Sequence, residues 1–118
     1  MRIDIPVSVG ELIDKISILQ IKSKYTDNEY VRKELNHLIK IATNHNVFNY
    51  NDLQNLLDVN EKLWGIEDKL RLLEKEQRFD QEFIELARSV YITNDKRARI
   101  KKDINEKFNS EYKEIKLY

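Results

Sequence analysis

At 118 residues the chain fits one domain, residues 1–118, with room for a core of its own and too little for two. Its 21 Lys and Arg balance 21 Asp and Glu, so it lacks the cationic excess on which sequence-independent nucleic-acid affinity depends, and nucleic acid is not an expected partner. Without cysteine there is no disulfide, zinc thiolate or thiol nucleophile, and without an apolar run of signal or membrane-spanning length the expected location is the cytoplasm, with no membrane partner.

One Pro and two Gly among abundant Leu, Ile, Glu, Lys, Gln and Asn leave few chain breakers. This predicts an all-α fold, an antiparallel helical bundle or coiled-coil hairpin of about four helices. In chain order, Ile3, Ile5 and Val7 alternate with Arg2, Asp4 and Pro6 in the period of a short edge strand. Ser8-Val-Gly-Glu11 is a capping box, in which hydroxyl and carboxylate satisfy reciprocal backbone donors, and it predicts a first helix to about Tyr25. That helix is apolar on two sides, with Val9, Leu12, Ile13, Ile16 and Leu19 on one and Ile18, Ile21 and Tyr25 on the other. Such a helix is either central in its bundle or half of a contact between copies.

Thr26-Asp-Asn-Glu29 repeats the capping signature and predicts a second helix over about 27–44, with Val31, Leu35, Leu38 and Ala42 inward. An aromatic-bearing loop, Val47 to Tyr50, leads to Asn51-Asp-Leu-Gln54, which opens a third helix that continues to about Gln77. Gly65 in its middle reads as a point of close helix approach. Trp64 beside it, with Phe83 and Tyr91 opposite, reads as a core anchor. Asp80 caps a fourth helix to about Phe108, and the short turn at Arg78-Phe79 makes helices three and four an antiparallel hairpin. The segment Glu111 to Tyr118 alternates again and is a candidate to pair with residues 2–7 as a short β-ribbon from the two termini, at the margin of stability.

The most informative residues are polar ones at apolar register. Asn60 and Glu67 lie among Leu53, Leu56, Leu57, Leu63 and Trp64, and Asn94, Lys101 and Asn105 lie among Phe83, Ala87, Val90, Ala98 and Phe108. Burying such groups without partners costs roughly 1–3 kcal/mol each, and more if charged, so they should meet one another, a ligand or a second chain. Counting outward from the turn puts Asn60 near Arg97 and Glu67 near Val90 to Asn94, on one seam. As a binding site, Asn60, Asn94, Arg97, Lys101 and Asn105, joined by Arg88, would recognise a carboxylate or phosphate, with Glu67 orienting an arginine or acting as a base. As framework, the same residues fix helix register, as a core Asn does in coiled coils. In a third arrangement helix four leaves the body and exposes Lys101 and Asn105. Those two fall opposite Leu56, where Asp52 is the only acidic partner in view.

The run Lys96-Arg97-Ala98-Arg99-Ile100-Lys101-Lys102 spreads its cations over every azimuth of a helix and reads better as a solvated face than as a phosphate-backbone contact. Glu11 and Asp14 are carboxylates at i and i+3, but the Glu-x-x-His spacing of a di-metal bundle is absent, and His37 and His45 have no ligand at metal spacing. Both histidines read as surface or capping residues, and no metal or cofactor is expected. There is no glycine-rich phosphate loop, nucleophile elbow or HExxH, so catalysis has little support.

The strings Ile5-Pro-Val-Ser-Val-Gly-Glu-Leu-Ile-Asp-Lys15, Leu63-Trp-Gly-Ile-Glu-Asp68, Phe83-Ile-Glu-Leu-Ala-Arg-Ser-Val-Tyr91 and Asn94-Asp-Lys-Arg-Ala-Arg-Ile-Lys101 resemble a family of small bacterial and phage helical proteins, a domain of unknown function. The resemblance spans nearly the whole chain in order. It implies a link to carbohydrate or glycosyltransferase systems as partners and carries no catalytic residue over. The expected function is therefore a non-enzymatic cytoplasmic interaction or assembly module, a homo-oligomer such as a dimer or the partner of another protein. The alternative is binding of an anionic small molecule, a nucleotide, sugar nucleotide or phosphate, at the seam between helices three and four.

Overall fold

Three of the four helix starts are fixed by a side chain that accepts from a backbone amide left free in the first turn. In the computed structural model, which describes residues 1–118, the Ser8 hydroxyl accepts from the Glu11 amide and opens α1 (Val9–Ser23). The Asn28 amide oxygen accepts from Tyr30 and opens α2 (Glu29–Asn44), and that of Asn49 accepts from Asp52 and opens α3 (Tyr50–Lys75). The fourth helix, α4 (Gln81–Lys107), begins after Asp80, whose carboxylate takes Arg78 at 3.2 Å and makes no capping hydrogen bond. The fold is all-α, and the chain has no strand.

Helix α1 is the only one in contact with all three others, and α2 packs on α1 alone. The first apolar side of α1 is buried at Ile13, Ile16 and Leu19, while on the second Ile21 is buried, Ile18 is half-buried and Tyr25 is exposed. The core joins Ile13 and Ile16 of α1 to Ala42 of α2, Leu53, Leu56 and Val59 of α3 and Ile104 of α4. Each fully buried Ile or Leu there stabilises the fold by about 1.5–3 kcal/mol relative to exposure. Helices α3 and α4 form the antiparallel hairpin. Its open end is tied by Lys107 to Asp52 at 2.6 Å, and its closed end turns through Gln77 at φ 56°. Helix α1 accompanies it only as far as Tyr25, which stacks on Trp64 with ring centroids 5.4 Å apart.

Several local expectations change. Helix α2 starts at Glu29 because Asn28 outcompetes Thr26 as cap, and the Thr26 hydroxyl instead accepts from the Asn28 amide. The capping box at Ser8 is half formed, since the Glu11 carboxylate reaches across to Lys101. Trp64 is not a core anchor. It lies half-buried against Tyr25, while Phe83 pairs with Phe79 and Tyr91 is exposed. Gly65 is no close approach, because a Cβ there would meet nothing within 4 Å. The terminal ribbon does not form: Glu114 and Lys116 instead lay residues 111–118 back along α4, onto Lys101 and Asp95.

Candidate functional site

Gly10, Asp14 and Ser17 recur at i, i+4 and i+7, so they share one stripe of α1, and all three are buried. The fully buried Asp14 carboxylate is the hub. Its Oδ1 accepts from Asn60 Nδ2 at 2.9 Å and from Arg97 Nε at 3.0 Å, and its Oδ2 accepts from Arg97 Nη2. This is the planar two-pronged match that guanidinium makes with carboxylate. The second proton of Asn60 Nδ2 goes to the Ser17 hydroxyl at 2.8 Å, and that hydroxyl donates to the Asp14 carbonyl at 2.6 Å.

Toward the start of α1 the contacts with α4 continue as a ladder. Lys101 Nζ donates to Glu11 at 2.8 Å and to Glu114 at 2.9 Å. The Gly10 amide donates to Asn105 Oδ1 at 2.6 Å, and the Val9 amide donates to the Ser110 hydroxyl at 3.0 Å. The backbones approach so closely that a Cβ on Gly10 would lie 2.6 Å from the Lys101 carbonyl oxygen. No buried side-chain nitrogen or oxygen is left without a partner.

The charges are tuned by this pairing. Burial alone would pull Lys101 down, but the hydrogen bonds it donates to Glu11 and Glu114 outweigh it and hold the ammonium above the ordinary lysine range. Reciprocally, the Lys101 hydrogen bond and charge, with lesser help from Lys116 and Arg97, hold the Glu114 carboxyl below its ordinary value. Asp14 raises Arg97 still further above a range in which arginine is always charged.

The structure brings Asn60 and Arg97 together, but through Asp14 of α1, and sets Lys101 and Asn105 on neighbouring rungs. Neither of the latter faces solvent, so helix four does not leave the body. Asn94 is half-buried beside Arg97 in a cleft along α4. Glu67 does not orient Arg97: it is exposed and pairs along its own helix with Arg71 at 3.7 Å. Arg88 is exposed and joins no ion pair. Asp52 is not the partner of Lys101, since Lys107 takes it.

The cation run divides accordingly, Arg97 and Lys101 turning inward while Lys96, Arg99 and Lys102 stay in solvent. Both histidines are exposed, with His45 Nδ1 2.9 Å from the Ile41 carbonyl oxygen. Sequence reasoning missed Gly10, Ser17 and Glu114 and weighed Asp14 only as half of a carboxylate pair. The stripe Gly10, Asp14, Ser17 inside an apolar helix was the available signal.

Chemically, this arrangement clamps helices together, since each buried charge is met by another charge of the same chain. What it leaves open are the far half of the hairpin and the cleft between α4 and residues 111–118. No helix is long and apolar enough to cross a membrane.

The fold and this network define an all-α, four-helix domain organised around a buried acidic hub. The chain belongs to the family of unknown function DUF6165, whose match covers residues 1–118, in agreement with the resemblance that the helical motifs carry. No curated protein and no solved structure matches it.

Proposed function

We propose that this domain is a cytoplasmic, non-enzymatic assembly module that pairs with a second copy of itself through the far half of the α3–α4 hairpin. The observation that carries this reading is the second apolar face of α4. Phe83, Leu86 and Val90 form a half-buried stripe, while Ile84, Ala87 and Tyr91, at i, i+3 and i+7, form a neighbouring exposed stripe about a quarter-turn round the helix, edged by Ile92. Ile84, Tyr91 and Ile92 are 48%, 56% and 53% exposed. Two helices cannot enclose a core, and Phe83, Leu86 and Val90 are only half-buried in the seam. A second hairpin laid against the outer stripe would complete a four-helix arrangement of the usual kind.

The surplus apolar surface that suggests a dimer is thus on α4, not on α1. Binding of an anionic ligand at the α3–α4 seam has less support, because Asp14 already occupies Arg97. Sedimentation equilibrium tests the assembly. The unaltered chain is expected to be a dimer at micromolar concentration, and Ile84→Glu is expected to make it a monomer with unchanged helicity. A strict monomer at high micromolar concentration, or a dimer indifferent to Ile84→Glu, would refute the proposal.

A further inference from the structure

Residues 111–118 are all exposed and form no backbone–backbone hydrogen bond. Two ion pairs hold them along α4, Glu114 to Lys101 at 2.9 Å and Lys116 to Asp95 at 3.3 Å. Ser110, by contrast, is buried and tied to Val9, and Asn109 at φ 49° turns the chain just before it. The Ser110 hydroxyl also donates to the Tyr112 carbonyl at 2.7 Å, so the segment is pinned at its base while the half-exposed Glu114 side chain can leave Lys101 without unseating it.

Beneath it lies an open cleft of about 620 Å³ lined by Tyr91, Arg97, Lys101, Lys116 and Tyr118 together with the acids Asp95 and Glu114. Lys101 has a side chain only 9% exposed and needs acidic partners. One of them, Glu11, is fixed on α1, but the other, Glu114, rides on the segment. Arg97 gives Nε and Nη2 to Asp14, and its Nη1 has no hydrogen-bond partner.

We propose that this cleft binds a small organic phosphate, whose phosphoryl group replaces the Glu114 carboxylate on Lys101 as that half-exposed side chain turns out to solvent while Lys116 and Tyr118 stay in place, so that Glu114 acts as a built-in competitor. The choice of phosphate follows from the competition. A tethered carboxylate acts at an effective concentration on the order of millimolar, which a free ligand carrying one equal charge does not overcome. A phosphate monoester carries about −1.5 to −2 at neutral pH and has three acceptor oxygens, enough to engage Lys101, Arg97 Nη1 and Lys116 together. These are the three cations that already depress Glu114. The Tyr91 and Tyr118 rings flank the cleft where the organic part would lie.

The test is a titration of the full chain with inorganic phosphate at constant ionic strength, followed by amide NMR shifts. Glu114→Gln is expected to bind phosphate about two- to fivefold tighter than the unaltered chain, the range that a half-exposed ion pair supplies, because the tethered competitor is gone. The shifts should centre on Lys101, Tyr91 and Tyr118. Glu111→Gln, which removes an equal charge from the same segment, should bind as the unaltered chain does, and adding Lys116→Gln to Glu114→Gln should weaken binding severalfold. Three results would each overturn the proposal: no tightening in Glu114→Gln, equal tightening in Glu111→Gln, or shifts scattered over Lys96, Arg99 and Lys102.

Discussion

Gly10→Ala and Gly65→Ala are the same chemical change and should move stability in opposite directions. In Gly10→Ala the new methyl would lie 2.6 Å from the Lys101 carbonyl oxygen and 2.9 Å from Asn105 Oδ1. The carbonyl belongs to α4 and cannot rotate aside, so the helices must separate. Overpacking of this kind costs about 1–3 kcal/mol. The stretched Gly10–Asn105 hydrogen bond adds about 0.5–1.5 kcal/mol, and the better helix propensity of Ala returns about 1 kcal/mol. The net is a loss of about 0.5–3.5 kcal/mol. In Gly65→Ala the methyl enters open space in mid-helix, so only the propensity gain of about 1 kcal/mol remains. Urea unfolding followed by helical circular dichroism reads both as midpoint shifts at a common slope. A Gly10→Ala chain as stable as its parent would refute the close approach of α1 and α4. Asn105→Ala in the Gly10→Ala background should be less damaging than the two losses summed, because it removes one of the two clashing oxygens.

The Asp14–Arg97 pair should behave as one unit. Asp14→Ala strands Arg97 and Asn60 and should cost about 3 kcal/mol, near the low end for breaking a buried pair because the Arg97 side chain is 27% exposed; adding Arg97→Met should recover part of the loss, and strictly additive losses in the cycle would show that the pair is uncoupled. The pH dependence follows from the Lys101–Glu114 contact. The folded-state value of Glu114 is depressed, so its contribution is full above the ordinary 4.5 and is lost as pH falls through the lower folded value. Lys101 is raised, so its contribution is full below 10.5 and is lost as pH rises through its higher folded value. Unfolding midpoints should therefore decline more steeply below pH 4.5 in the parent than in Glu114→Gln; parallel curves would exclude a stabilising role for that carboxylate.

What the sequence made legible was local. Ser8 before an apolar run marks the start of α1 because an N-cap acts within a few residues of its own position, and the turn at Arg78-Phe79 fixes the direction of α4 against α3 by chain connectivity alone. From that direction Asn60 and Arg97 can be placed level with each other. The identity of their partner cannot, because Asp14 comes from a helix 46 residues before Asn60 in the chain and no local signal ranks α1 above α2 as the third wall of the seam. The glycines fail for the same reason. Gly65 is conspicuous in mid-helix and touches nothing, while Gly10 hides in a capped first turn where glycine is unremarkable, and its need for a bare Cα arises wholly from α4.

The division between fixed and free parts of the molecule follows from where that first helix reaches. Along its length it meets α4 at Gly10, Glu11 and Asp14 and the chain just after α4 at Val9, and it meets α3 at Asp14 and Ser17, with Lys24 and Tyr25 just past its end adding contacts to Glu61 and Trp64. Every polar side chain that these helices bury is satisfied inside the chain, so opening them for a ligand would strand charge in a dry interior at a cost of several kcal/mol per ion. Beyond Tyr25 the hairpin has no third helix, and beyond Ser110 the chain has no backbone–backbone hydrogen bonds. Interaction there requires only the covering of an exposed apolar stripe or the exchange of one carboxylate for another anion. Asp14, Ser17 and Asn60, with Arg97 Nε and Nη2, clamp α1 to α3 and α4, and the exposed stripe of α4 and the cleft beside Lys101 lie outside that clamp.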